Sequence, residues 1–272
     1  MIPDSIHLRG RTNEGKKDQS FRPSLPRFYS CKKIRRPHRS IFLFFIIQII
    51  FAAMLHAQPE TVVLLHGLGR SGASMVRLER ALTASGFRVV NLSYDSRTIP
   101  LETLARDWLP AQLRTNVSDP ATRLHFVTHS MGGILLRLYL REHPEARVHR
   151  VVMIAPPNQG SEVSARLKNF PPFRWLTGVN GVRLDPAPAS LPRALGPWPG
   201  TRGELGVIAG NFSFNPIFSA WLGGPDDGKV AVTSTHLTGE TAHIVLPYSH
   251  TWLPARAETA KRAVRFLRNG NF

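Results

Sequence analysis

Ser130 stands in Thr128-His129-Ser130-Met131-Gly132-Gly133, where an apolar, β-like run breaks into a helical pattern. A serine at such a strand-to-helix turn has its hydroxyl pushed out above the sheet edge, and small residues beside it let the backbone pass close to a neighbouring strand. The helix that begins after it aims free amides, and the positive end of its dipole, at the same spot. These are the conditions for a nucleophile, although any serine in this position would also serve as a helix cap. Serine is weakly nucleophilic at neutral pH, so it needs a positioned base, and a histidine base needs an acid to hold its tautomer. The candidate bases are His236, His243 and His250. His243 falls near the start of a strand, at the wrong end of a sheet, and His236 inside a strand or edge. His250 follows Ile244-Val245-Leu246 by the short loop Pro247-Tyr248-Ser249, which predicts a place at a strand's carboxyl end. The candidate acids are Asp227, its neighbour Asp226, and Asp95 after the second strand; the Asp-Gly pair at 227–228 is equally a common turn signal.

The elements that must hold these residues alternate regularly from Thr61 onward. Thr61 to Leu65, Phe87 to Leu92, Leu124 to Val127 and Val148 to Ile154 read as short, largely apolar strands. Amphipathic stretches over 73–85, 101–113 and 131–140 lie between them. Strands at 205–208 and 242–246 and a helix over 255–267 complete the pattern. Such alternation predicts an α/β fold: an open, mainly parallel sheet of about six strands flanked by helices. Ligands in such sheets bind at the carboxyl ends of the strands. Between Pro156 and Gly203 the pattern lapses into prolines interleaved with Phe170, Phe173, Trp175, Leu176 and Trp198, which predicts a lid-like or pocket-wall insertion over 158–203.

With these motifs in place, the chain resembles the α/β-hydrolases, in particular bacterial lipases and esterases with a His-Gly loop after the first strand. The likeness covers roughly residues 61–270, with a reduced N-terminal part. The family's Gly-x-Ser-x-Gly elbow is matched at 128–132 except that Thr128 replaces the first glycine. The family order of Ser, then Asp or Glu, then His is met by Ser130, Asp227 and His250. Gly224-Pro225-Asp226-Asp227-Gly228-Lys229-Val230 resembles the lipase segment whose Asp-Gly pair supplies the acid, which favours Asp227. His66-Gly67-Leu68-Gly69-Arg70 matches the glycine-rich turn after the first strand. The implied oxyanion hole is made by the amides of Leu68 and Met131, with His66 in a supporting role. Ala155-Pro156-Pro157-Asn158-Gln159-Gly160-Ser161 is similar to a structural turn that flanks the pocket in lipase-like members. The activity implied is hydrolysis of carboxylic esters, with lipid-like or apolar acyl groups favoured and no metal or organic cofactor. The same residues would serve an acyltransferase or an amidase, and the fold alone would serve a noncatalytic envelope binding protein.

Composition narrows the partners. Nearly half of the net charge of +17 sits in the first 40 residues, which hold 11 Lys and Arg against 3 Asp and Glu. The basic residues after them are dispersed arginines without a recognition element, so nucleic acid is not expected as a partner. The Gly-rich turn at 67–69 lacks the Gly-Lys-Ser ending of a phosphate loop, which argues against nucleotide. Behind the basic leader, Ile41 to Leu55 contains one polar residue, Gln48, and is short for a membrane span. Residues 1–57 therefore read as a basic leader and secretory signal, with Leu55-His56-Ala57 as the cleavage site and a mature domain from 58 to 272. The alternative is an uncleaved anchor formed by residues 41–57. Either way the expected location is exported or membrane-anchored, and the membrane surface is among the expected partners. The single cysteine, Cys31, excludes an intrachain disulfide and a cysteine zinc site.

Overall fold

Val62, Val63, Leu64 and Leu65 are fully buried, as an unbroken apolar strand covered on both faces requires. They lie in β1 (Thr61–Leu65), which is followed by β2 (Arg88–Leu92), β3 (Leu124–His129), β4 (Arg150–Ile154), β5 (Glu204–Gly210) and β6 (Ala242–Leu246). In this computed structural model, which describes residues 59–117 and 123–272 together with Gln48, the strands form one sheet in the order β2-β1-β3-β4-β5-β6. All neighbours are parallel. The basic leader, the apolar stretch and the expected cleavage site lie outside the described residues, apart from Gln48. Among the described residues no helix is long and apolar enough to cross a membrane.

The principal helices are α1 (Val76–Ala84), α2 (Leu109–Asn116), α3 (Met131–Glu142), α4 (Glu162–Leu167), α5 (Pro171–Gly181), α6 (Pro216–Leu222) and α7 (Ala257–Asn269). Leu78 and Leu82 of α1 and Phe266 and Leu267 of α7 pack with Val62, Leu64, Val127 and Val152 on one face of the sheet. Leu109 and Leu113 of α2 and Ile134, Leu135 and Leu138 of α3 pack with Val63, Leu65, Phe126 and Val151 on the other. The chain thus winds to one side of β1 to make β2 and to the other side to make β3. Helices on opposite faces diverge there, which opens a crevice at the carboxyl ends of β1 and β3. A π turn at Leu104–Trp108 precedes α2. Pro110, which has no N–H and crowds the carbonyl four residues back, accounts for this departure from a regular helix.

Two expectations need correction. The stretch over 158–203 is substantially helical. Its prolines suggest irregular chain, but Pro171 and Pro172 open α5, where a missing N–H costs no helical bond. Arg137 binds this stretch to the core: its guanidinium donates to the Asn158 carbonyl and side chain and to the Gly196 carbonyl. Asn180 binds it at its middle, donating to the Ser96 and Ile99 carbonyls and accepting from the Leu101 amide. Second, His236 does not lie in a strand; it follows a short helical turn at Val232–Thr235.

Candidate active site

The register of the sheet sets the nucleophile turn. Leu65 pairs with Thr128, and His129 pairs with Ile154, so β1, β3 and β4 end side by side. The Ser130 amide donates to the Ile154 carbonyl at 2.8 Å, and the residue turns with φ 54° and ψ −124°, a conformation unfavourable for any side-chain-bearing residue. Close packing holds it there. A Cβ on Gly132 would sit 2.5 Å from the Leu65 carbonyl oxygen, and one on Gly67 would sit 3.0 Å from Ser130 Cβ. The glycines let α3 start directly against the end of β1, and let the 67–69 turn lie on the serine. Thr128 is fully buried, and its hydroxyl has no partner among the described residues.

Ser130, His250 and Asp227, widely separated in sequence, meet here. Ser130 Oγ lies 2.9 Å from His250 Nε2, and His250 Nδ1 lies 2.7 Å from Asp227 Oδ2. Asp227 Oδ1 accepts the amides of Lys229 and Val230 at 3.0 and 2.9 Å, which turns the other carboxylate oxygen toward the imidazole. The His250 amide also donates to the Asp227 carbonyl at 2.9 Å, tying the two loops together. Gly210 permits this approach, since a Cβ there would meet the Tyr248 carbonyl oxygen at 2.4 Å and Asp227 Cβ at 2.9 Å. With Nδ1–H donated to the carboxylate, Nε2 is left to accept the serine proton.

The other candidates have local work. Asp226 Oδ1 accepts from the Gly228 amide and the Ser219 hydroxyl. Asp95 accepts the amides of Arg97 and Thr98 and the Thr98 hydroxyl, and these bonds hold its carboxyl below the usual range. His236 and His243 stack on each other at 3.8 Å and bond to Glu240 and Thr235 respectively. His66 supports the glycine turn: its Nδ1–H donates to the Gly67 carbonyl, its Nε2 accepts the Tyr94 amide, and its ring stacks on that tyrosine at 4.1 Å. Leu68 lies on the cleft and Met131 begins α3; neither amide has an acceptor among the described residues.

One neighbour carries no signal in the spacing. His129 is buried beside the serine, its Nε2 lies 3.0 Å from the His250 carbonyl, and its Nδ1 has no partner among the described residues. Nε2 therefore carries the proton and donates. Burial, helped by the positive charges of Lys229 and Arg70, holds this imidazole neutral well below ordinary histidine pH. The only sequence cue was a polar side chain at the end of an otherwise apolar strand.

These groups floor a cleft of about 430 Å³. Its apolar side is made by Val163, Phe173, Leu176, Leu184 and Phe218, and Pro157 and Ser161 of the turn after β4 also line it.

A parallel six-stranded sheet with a serine turn at the end of its third strand defines an α/β-hydrolase architecture. The chain belongs to the alpha/beta hydrolase family, whose sequence model matches residues 62–267. A search of curated protein sequences finds no match. Among solved structures it is similar to the mature form of a Bacillus licheniformis lipase, with a TM-score of 0.59 and 16% identity over 80% of this chain and 94% of that one. It is similar also to a Legionella pneumophila phospholipase in complex with thio-NAD, with a TM-score of 0.61 and 17% identity over 77% of this chain and 58% of that one. A metagenomic carboxyl esterase gives 0.54 and 18% identity over 72% and 66%. At such identities the likeness is one of fold.

Proposed function

We propose that the protein is a serine hydrolase that cleaves carboxylic esters through an acyl-enzyme on Ser130. The observation that carries this reading is the unbroken hydrogen-bonded line from Ser130 Oγ through His250 to Asp227, at 2.9 and 2.7 Å. In the reaction, His250 Nε2 takes the serine proton as Oγ attacks the ester carbonyl. Asp227 keeps the imidazole in the productive tautomer and stabilises the imidazolium. The amides of Leu68 and Met131 receive the negative oxygen of the tetrahedral intermediate. The proton then passes to the leaving alkoxide, and water repeats the sequence on the acyl-serine.

The apolar wall formed by α4, α5 and Phe218 supports an ester with an apolar acyl group, and the 158–203 segment is the lid or pocket wall of this reading. Residues 1–57 are proposed as the export segment or anchor, with 58–272 as the hydrolase domain. Fractionation of cells expressing the full chain, with N-terminal sequencing of the product, tests that boundary; a cytosolic, unprocessed product would end it.

The central test is labelling with a fluorophosphonate and hydrolysis of nitrophenyl esters. The wild type is expected to label and to turn over, and Ser130→Ala to do neither. An unlabelled, folded wild type would favour the noncatalytic binding protein. Product formed preferentially on an added acceptor alcohol would identify an acyltransferase.

A further inference from the structure

Arg70, Arg97 and Lys229 line the same cleft as Ser130 and His250, and no Asp or Glu among the described residues does. Of the carboxylates nearby, Asp227 has both oxygens committed to the Lys229 and Val230 amides and to His250, and Asp95 accepts the Arg97 and Thr98 amides and the Thr98 hydroxyl. The Lys229 backbone is fixed, its carbonyl accepting the Ser161 hydroxyl at 2.7 Å, while its ammonium has no hydrogen-bond partner among the described residues. Desolvation makes the ammonium easier to deprotonate than an ordinary lysine; the Asp227 charge opposes this, and repulsion from Arg70 adds to it. Arg97 is held by a bond from Nη2 to the Trp175 carbonyl at 2.6 Å and by the Trp175 ring below its guanidinium at 5.8 Å. Its Nε is buried without a partner among the described residues. Three cations thus face two carboxylates, Asp227 and Asp95, whose oxygens are already engaged by backbone amides, His250 and the Thr98 hydroxyl. This leaves an excess of positive charge and unspent N–H donors that a bound anion would meet.

We propose that the cleft selects amphiphilic esters that carry an anionic group, a phosphate or a carboxylate, with Arg70 and Lys229 receiving the anion, Arg97 adding its field, and the apolar chain lying along Val163, Phe173, Leu176 and Phe218. This inference rests on the esterase reading for turnover but not for binding. The ester carbonyl must sit over Ser130 while the charged end reaches the rim formed by the Gly67–Arg70 turn and the loop after Asp227. Phosphate and carboxylate share the required chemistry: each accepts charge-assisted bonds from a guanidinium and an ammonium.

The test has a binding arm and a turnover arm, both on the full chain. By titration calorimetry at low ionic strength, hexyl phosphate and hexanoate are each compared with hexanol on the wild type and on Arg70→Gln/Lys229→Gln. The anions are expected to bind the wild type about tenfold tighter than the alcohol, and the preference to fall to about twofold in the variant. The wild-type preference should also shrink in 0.5 M salt (roughly a 4 Å screening length), a check that needs no variant. The tighter of the two anions identifies the head group. For turnover, mono-nitrophenyl glutarate is compared with nitrophenyl butyrate as a ratio of kcat/KM, expected to fall about tenfold in the variant. Equal anion preference in wild type and variant, or none in either, overturns the inference. If neutral esters turn over in a Ser130-dependent way without any anion preference, the subsite fails and the esterase reading stands. If the anions bind selectively and no ester turns over, the reverse holds.

Discussion

Ser130, His129, Asp227 and His250 are each almost withdrawn from solvent and joined by hydrogen bonds to one another or to backbone, whereas α5 on the opposite side of the cleft leaves Trp175, Leu176 and Val179 exposed. The floor is held by polar bonds of fixed length and by glycines that let backbones approach within contact distance. The wall is tied to the rest of the molecule at several points, by Asn180, by the clamp Arg137 makes on Asn158 and Gly196 and by the Arg97 bond to the Trp175 carbonyl, but the surface it turns to the cleft is largely apolar. Bond geometry within a few tenths of an ångström suits a proton-transfer chain. An apolar surface without directional bonds suits a substrate part recognised by shape and area. Perturbing the floor should therefore change kcat, and perturbing the wall should change KM and chain-length preference.

The sharpest test of the floor is Asp227→Asn. The amide preserves the volume and still accepts the Lys229 and Val230 amides through its oxygen, but it turns an NH2 toward His250 and reverses the tautomer. A loss in kcat on the order of 10³–10⁴-fold is expected, with KM and melting temperature little changed. A loss smaller than about tenfold would show that the line from serine to carboxylate is not the working one.

His129→Phe is the next step down. It removes one donor to the His250 carbonyl while keeping an aromatic ring in the same buried space. One neutral hydrogen bond is worth about 1 kcal/mol, so kcat should fall roughly 5–10-fold by displacement of the imidazole. His129→Gln, which retains a donor, should recover part of it. An unchanged kcat in the Phe variant would leave His129 as packing alone.

How much of this was legible in the sequence follows from the range of each interaction. Ser130 was legible because its signals, an apolar strand and then small residues at a helix start, are its immediate neighbours. His250 could be placed from the strand before it. Asp227 needed the resemblance of its Asp-Gly-Lys-Val segment to lipases, because Asp226 beside it looks the same to any local rule and only the fold shows which carboxylate faces His250. His129 acts through a carbonyl 121 residues later, a distance no spacing argument covers. The helices of the wall were hidden because prolines that open α5 look like breakers until their position in the first turn is known. The cationic rim was also unreadable, since Arg70, Arg97 and Lys229 come from three different loops.

Acid separates the sheet, which carries buried imidazoles, from the wall, which has none. Burial lowers His125 and His243 to about 4 and holds His129 well below its ordinary value. An unfolded histidine titrates near 6.5, so between about pH 4 and 6.5 the unfolded chain binds more protons than the folded one. Stability is then full above about pH 6.5 and is lost as the pH falls through that window. The 158–203 wall contains no histidine. Melting temperature should fall by several degrees between pH 7.5 and 5, and His125→Gln should flatten the slope. A melting temperature that rises on acidification would contradict the assignment of neutral, buried imidazoles.

The smallest effects are expected at the wall. Leu176 is 60% exposed yet lines the cleft, and Trp175 beside it is 77% exposed. Truncating Leu176 to Ala removes apolar area that only a bound chain would cover, a contribution of about 1 kcal/mol at roughly 25 cal/mol per Å². KM for nitrophenyl decanoate should therefore rise about fivefold, and KM for the acetate should not move, since a two-carbon acyl group does not reach α5. kcat for the acetate should also be unchanged if the floor is independent of the wall. A drop in acetate kcat for Leu176→Ala would mean that α5 shapes the serine turn itself, and the division between a bonded floor and an apolar wall would have to be redrawn with the Gly178–Arg97 contact at its centre, where a Cβ on Gly178 would already lie 2.0 Å from the Arg97 carbonyl oxygen.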